Sequence, residues 1–213
     1  VNPRACHETE LRIDAAPEPR RIAVVGAGPA GLSFAVTAAE RGHAVTLFES
    51  AGEIGGQFNI ARKVPGKEEF NETLRYFRRQ IELRGVQLRL NTRVGAEALK
   101  NGGFDDIVLA TGIVPRVPAI EGIDHPKVLG YLDVLRDGRE VGDSVAVVGA
   151  GGIGFDVSEF LLHEGESPSM APEKFSAEWG ADPAYAEPGG LRAPRMAQAP
   201  RKVALLQRKE SKV

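Results

Sequence analysis

The chemistry this chain can do starts with glycines, because glycine leaves the backbone bare. Gly26, Gly28 and Gly31 stand in a G-x-G-x-x-G turn, GAGPAG, with Ala30 inside it. Gly149, Gly151 and Gly154 repeat the spacing in GAGGIG. Such a turn can hold a diphosphate. Its first glycine makes the tight turn out of a strand, and its second lets the diphosphate approach the backbone. Its third lets the next helix pack close to the strands. The helix N-terminus adds unpaired N–H groups and a partial positive charge. Glu49 follows the first turn by about 20 residues, where an acid can accept from adenosine ribose hydroxyls. This constellation points to dinucleotide binding, against a bare βα turn that would leave the acid unexplained.

Other candidates are weaker alone. Gln57, after Gly55-Gly56, can reach ribityl or pyrophosphate oxygens, or sit in an ordinary turn. Lys67 stands near the start of an expected helix, where a cation opposes the dipole, so a ligand or an acid partner is expected. Val94 follows a strand whose neighbour carries the nucleotide, within reach of adenine edge atoms. Thr111-Gly112 ends another strand, and Gly112 permits close approach to a cofactor. After the second turn the acid is missing: Gln207 ends the delayed strand, and Arg208 and Lys209 follow. A neutral residue and two cations suit a 2′-phosphate, so NADPH is favoured over NADH; the alternative is a charged surface turn. Cys6-His7 lacks further ligands at usable spacing, so no metal site is expected. His125 reads as a loop residue.

The elements that must position these residues read along the chain. Residues 22–25 form a short apolar strand, 32–41 an alanine-rich helix stopped by Gly42, and 44–48 a second strand. An amphipathic helix is expected over 67–84, with Phe70, Leu74, Phe77 and Ile81 toward the sheet and Arg75, Arg78, Arg79 and Glu82 solvated. Residues 86–90 are a strand, and 106–111 (DIVLAT) a short buried one. A proline-bearing crossover over 113–126 leads to a short helix at 131–136. Residues 144–148 and 155–163 are the strand and helix of the second turn. An insertion over 164–201 delays the strand at 202–206; it holds a short helix near 172–180, with Trp179 and Tyr185 pinning it to the body.

The fold class is therefore α/β, with two Rossmann-like dinucleotide-binding units. The expected division is a connector over 1–20, an FAD-binding part over 21–138 and the first half of an NADPH-binding part over 139–213. Both units are incomplete. The chain opens on Val1 rather than Met and stops inside the second unit, so an internal segment of a larger polypeptide is expected.

Composition narrows the partners. The 213 residues are 42% hydrophobic and 26% charged, which suits a globular protein. A net charge of −2 argues against nucleic acid or an anionic membrane as partner. No apolar run approaches the ~20 residues of a membrane span. One cysteine fits a reducing cytoplasm and no disulfide framework.

Two such fingerprints, with a Thr-Gly strand end and a proline-rich crossover between them, resemble flavoproteins with two dinucleotide-binding domains of the glutathione-reductase kind. The branch with a redox cysteine pair does not fit a chain whose only thiol is Cys6. Longer motifs resemble the bacterial NADPH-dependent 2,4-dienoyl-CoA reductases over essentially the whole chain: VNPRACHETE, VVGAGPAGL, IGGQFNIA, VPGKEEFNETLRYFRRQIE, LATGIVPR, IDHPKVLGYLDVL and GAGGIGFD. That resemblance implies FAD contacts at Ala30, Glu49, Gln57, Lys67 and Val94. It also implies an upstream FMN-binding barrel and a 4Fe–4S centre in the same polypeptide, both outside this chain, with Cys6 matching no cluster ligand. Hydride would pass from NADPH to FAD, and electrons through the cluster to FMN and an unsaturated acyl-CoA. No catalytic acid or base is expected among these residues. The rival expectations are an adenine-nucleotide module of amine-dehydrogenase type and a reductase for another enoate.

Overall fold

The computed structural model describes residues 4–208. The elements in chain order are β1 (Arg21–Val25), α1 (Pro29–Glu40), β2 (Ala44–Phe48), α2 (Phe58–Ala61), α3 (Phe70–Leu83), β3 (Gln87–Arg89), α4 (Ala96–Asn101), β4 (Asp106–Leu109), α5 (Tyr131–Leu135), β5 (Ser144–Val148), α6 (Gly152–Leu162), α7 (Pro172–Trp179) and β6 (Lys202–Leu206). They fall into two compact units. The first runs from the described N-terminal residues to Phe58 and resumes over Asn71–Arg116. The second takes Asn59–Phe70 and the described residues from Val117 onward. Residues 59–70, beyond the first glycine turn in sequence, thus pack with the second unit.

The first unit is built on a parallel sheet of order β3-β2-β1-β4. β1 pairs with β2 from Arg21↔Ala44 to Val25↔Phe48, and with β4 from Ile22↔Asp106 to Val25↔Leu109. β1 is central and apolar, and Ile22, Ala23 and Val24 are buried, as a strand covered on both faces requires. α1 lays Leu32, Ala35 and Val36 on that sheet. Its small residues let it lie close. α3 adds Leu74 and Ile81, with Phe77 against the same core.

Three expectations for this unit need correction. α1 begins at Pro29 rather than at Leu32, because proline's fixed φ suits the first helical position and its missing N–H costs nothing there. α3 begins at Phe70, not at Lys67; Lys67 lies in the preceding turn. β4 is not buried: Ile107 and Leu109 are 42% and 73% exposed, because no described element covers that face of this edge strand. α2 and α4 are further helices that the sequence pattern did not reveal.

In the second unit β5 and β6 pair in parallel from Ser144↔Lys202 to Val148↔Leu206. α6 buries Gly154, Val157 and Leu161, and Val145, Val147 and Val203 join that core with Val64, Val134 and Leu135. α7 ends on Gly180 in the left-handed conformation, the usual helix stop. Trp179 and Tyr185 do not pin the insertion, being 71% and 77% exposed. The Trp179 ring lies 5.9 Å from that of its helical neighbour Phe175, centre to centre; residues four apart on a helix touch without help from elsewhere. Among the described residues, no helix is long and apolar enough to cross a membrane.

Candidate nucleotide-binding corners

The two glycine turns are the same object built twice. Gly26 has φ +105 and Gly149 φ +116, a region closed to most side chains. Gly28 and Gly151 are the N-caps of α1 and α6, at φ −75, ψ −178 and φ −96, ψ −178. Gly31 and Gly154 are buried. A Cβ on Gly31 would collide with the carbonyl of Gly26, and one on Gly154 with that of Gly149. The third glycine therefore lets the helix seat on the turn. A Cβ on Gly28 or Gly151 would meet nothing within 4 Å. The bare second glycine is not demanded by packing or by backbone angle, so what it spares is the space in front of the helix N-terminus. That is the space a diphosphate would use.

Each turn is tied to the carboxyl end of its sheet. Gly26 N–H donates to Phe48 O at 2.8 Å, and Gly149 N–H to Leu206 O at 2.9 Å. The corners differ in one respect. In the first, β4 closes against the turn: Ala110 N–H donates to Val25 O at 2.8 Å, and a Cβ on Gly26 would run into Ala110 O. Thr111 and Gly112, both exposed, follow directly, with Gly112 at φ +81. The second corner has no such third strand among the described residues.

The Glu49 carboxylate lies against the first corner. Its Oε2 accepts from Ala27 N–H at 2.8 Å, inside the glycine turn. Its Oε1 accepts from Ala51 N–H at 2.8 Å and the Ser50 hydroxyl at 3.2 Å. These donors lock the carboxylate in place and leave an acceptor direction on Oε2, since a carboxylate offers about four lone-pair sites. The 91–94 loop runs along the same stretch. Thr92 N–H donates to Glu49 O and Asn91 N–H to Ala51 O, at 2.8 and 2.9 Å, so Val94 follows two residues beyond. Gly55 N–H donates to Ala27 O at 2.8 Å, and a Cβ on Gly56 would meet Gly28 Cα at 3.0 Å. The 55–57 loop thus lies on the turn, with Gln57 half-buried beside it. Ala30 is exposed in the first turn of α1.

Lys67 is a different case. It belongs to the second unit, where its ammonium donates to both carboxylate oxygens of Asp156 on α6, at 2.6 and 2.7 Å. Of the ligand or acid partner expected there, the structure supplies the acid, 89 residues away in sequence. Next to it, burial alone would raise the pKa of Glu68, but hydrogen bonds from Ser167 and Ser169 outweigh that and hold it below the ordinary carboxylate value. Ser169 Oγ donates to Glu68 at 2.6 Å. Arg208 is exposed, two residues beyond β6; Lys209 lies outside the described residues.

This geometry agrees with the comparisons. Residues 20–170 match the pyridine nucleotide-disulphide oxidoreductase family, and the chain belongs to that family of FAD- and NAD(P)-binding oxidoreductases. It is 36% identical over 172 residues to a metal reductase of Desulforamulus reducens, covering 78% of this chain and 25% of that protein. It is 34% identical over 171 residues to a cinnamate reductase of Clostridium sporogenes, covering 80% and 25%. A solved structure of 2-naphthoyl-CoA reductase in complex with 2-naphthoyl-CoA matches at 38% identity and a TM-score of 0.72, over 76% of this chain and 25% of that one. The chain spans about a quarter of the length of the curated relatives it matches.

Proposed function

We propose that this chain is the reductase segment of a flavoprotein of 2,4-dienoyl-CoA reductase type, with FAD at the first glycine corner and NADPH at the second. The observation that carries the reading is the duplicated corner: in both, the second glycine guards empty space while the third is fixed by packing. When bound, the two nucleotides supply the hydride and electron chemistry. The residues of this chain bind and orient. Gly28 and Gly151 leave the helix N-termini open to a diphosphate. Glu49, fixed by Ala27 and Ala51, has an acceptor direction for an adenosine ribose hydroxyl. Arg208 and Lys209 supply charge for a 2′-phosphate after the neutral Gln207.

The rest of the intact protein would carry an FMN barrel and a 4Fe–4S centre, as the longer motifs suggest. The substrate would then be an unsaturated acyl-CoA entering fatty-acid β-oxidation. The 2-naphthoyl-CoA and cinnamate reductases among the relatives fit reduction of a conjugated acyl group. A cytoplasmic setting fits the single cysteine.

Anaerobic titration of the intact flavoprotein tests this, following FAD bleaching against NADPH and NADH. NADPH should bleach the flavin at lower concentration. Replacing Arg208 and Lys209 by Ala should cost NADPH affinity about tenfold or more and NADH affinity little, as the loss of charge-assisted contacts requires. Equal losses would remove the case for 2′-phosphate recognition. Failure of both nucleotides to bleach, with ADP still bound, would leave an adenine-nucleotide module instead.

A further inference from the structure

The chain leaves the first unit and returns to it within one short stretch. Ile54 is 2% exposed and belongs to the core of the first unit, with Val24 and Leu32. Val64, also 2% exposed, belongs to the core of the second, with Val134, Val157 and Leu161. Ile81 on α3 is back in the first core. Residues 59–70 are therefore a strap: the stretches before and after it build the first unit, while the strap itself is packed in the second.

The strap is continuous with the 55–57 loop, which lies on the first glycine turn. Gly55 N–H donates to Ala27 O at 2.8 Å, and a Cβ on Gly56 would meet Gly28 Cα at 3.0 Å. Gly28 is the residue that keeps the diphosphate space open, so this loop borders that space. Gly55 and Gly56 have φ +126 and +51, a region glycine enters freely, so the loop can readjust. In the second unit the strap is held at three points besides Val64. The Lys63 ammonium donates to Leu135 O at 2.7 Å and Arg136 O at 3.3 Å, at the end of α5. Lys67 donates to both carboxylate oxygens of Asp156, and Ser169 Oγ donates to Glu68 at 2.6 Å. Asp156 stands on α6, whose N-terminus is the second glycine corner. From Gly151 to Asp156 the helix rises only about 8 Å.

We propose that the strap couples the two corners, so that a dinucleotide on the second raises the affinity of the first for FAD. The inference rests on the assignment of the corners to FAD and NADPH. A ligand at the N-terminus of α6 fixes the first turns of that helix, and with them Asp156 and the core around Val64. The strap is then held in one place, and so is the 55–57 loop beside Gly28. The loop is already ordered when FAD arrives, which is how one ligand favours another without touching it. Linkage makes the effect mutual: FAD raises the affinity for the nicotinamide nucleotide by the same factor.

The test is calorimetric titration of the intact flavoprotein, freed of FAD, with FAD in the presence and absence of saturating NADP+. NADP+ should tighten FAD at least about fivefold, the lower end of ordinary coupling. Val64→Ala should bring that factor below about twofold. Val203→Ala is the comparison: Val203 packs against the same core from β6, off the strap, and loses the same two methyl groups. It should keep the factor. A readout on the unaltered protein guards against misfolded variants: amide exchange over residues 55–57 should slow when NADP+ is added before FAD. Unchanged exchange, or loss of coupling in both variants alike, would overturn the role of the strap. FAD affinity indifferent to NADP+, with both nucleotides bound, would overturn the coupling and leave the assignment of the corners standing. Failure of either nucleotide to bind would overturn that assignment too.

Discussion

Gly28→Ala and Gly31→Ala add the same methyl group three residues apart, and the structure assigns them opposite consequences. Gly28 has φ −75 and no atom within 4 Å of an added Cβ. Alanine is a poorer N-cap than glycine, so the cost to folding should stay under about 1 kcal/mol, a melting shift of no more than about 4 °C for a chain this size. The added methyl stands where a diphosphate must meet the backbone. Losing one charge-assisted hydrogen bond costs about 1.5–3 kcal/mol, so FAD affinity should fall about 10- to 100-fold. At Gly31 the methyl collides with Gly26 O and comes within 3.4 Å of Ala110 Cβ. Backbone cannot step aside as a side chain can. Overpacking of this kind costs about 1–3 kcal/mol, only partly offset by alanine's helix propensity, about 1 kcal/mol better than glycine's. The melting temperature should drop, and affinity should follow stability. Thermal unfolding by circular dichroism and flavin-fluorescence titration separate the two effects. A folded Gly28→Ala chain with full FAD affinity would refute the reasoning, as would a Gly31→Ala chain that melts like the parent.

Two further predictions rest on single contacts. Asp156→Asn removes the charge that holds Lys67, so stability should fall by about 1 kcal/mol, an exposed-to-intermediate pair being worth no more; Lys67→Met with Asp156→Leu should recover most of it in thermal melts. Glu68 has a folded pKa below its ordinary value of 4.5, so its contribution to stability is present above that pH and is lost as pH falls through the lower folded value. Ser169→Ala should bring the Glu68 pKa back up, read by carboxyl NMR titration, and shrink the acid-side loss; an unchanged titration would break the assignment of that hydrogen bond.

Much of the fold was legible because its signals are local. β2, β5 and β6 lie where short apolar runs put them, and Gly42, Gly85 and Gly180 end helices as their backbone freedom suggests. The tight turn at the first glycine and the close helix packing at the third were readable from spacing alone. What stayed hidden depends on distant residues. α4 buries only Leu99 and gives no periodic stripe, and α2 is a single turn of four residues. The open face of β4 could not be foreseen from DIVLAT, since exposure depends on what covers a strand and not on its own sequence. The Lys67–Asp156 pair joins residues too far apart in the chain for spacing to reveal. The sequence asked for a ligand or an acid near Lys67 without saying which.

The central claim is that the first glycine corner binds a nucleotide through its adenosine and diphosphate half. It is tested most directly by flavin-fluorescence titration of the chain with FAD and with FMN, which lacks that half. FAD should bind at least about 100-fold tighter than FMN, a difference of about 2.8 kcal/mol, and ADP should displace it. Equal affinity for the two flavins, or FAD that ADP cannot displace, would contradict the account.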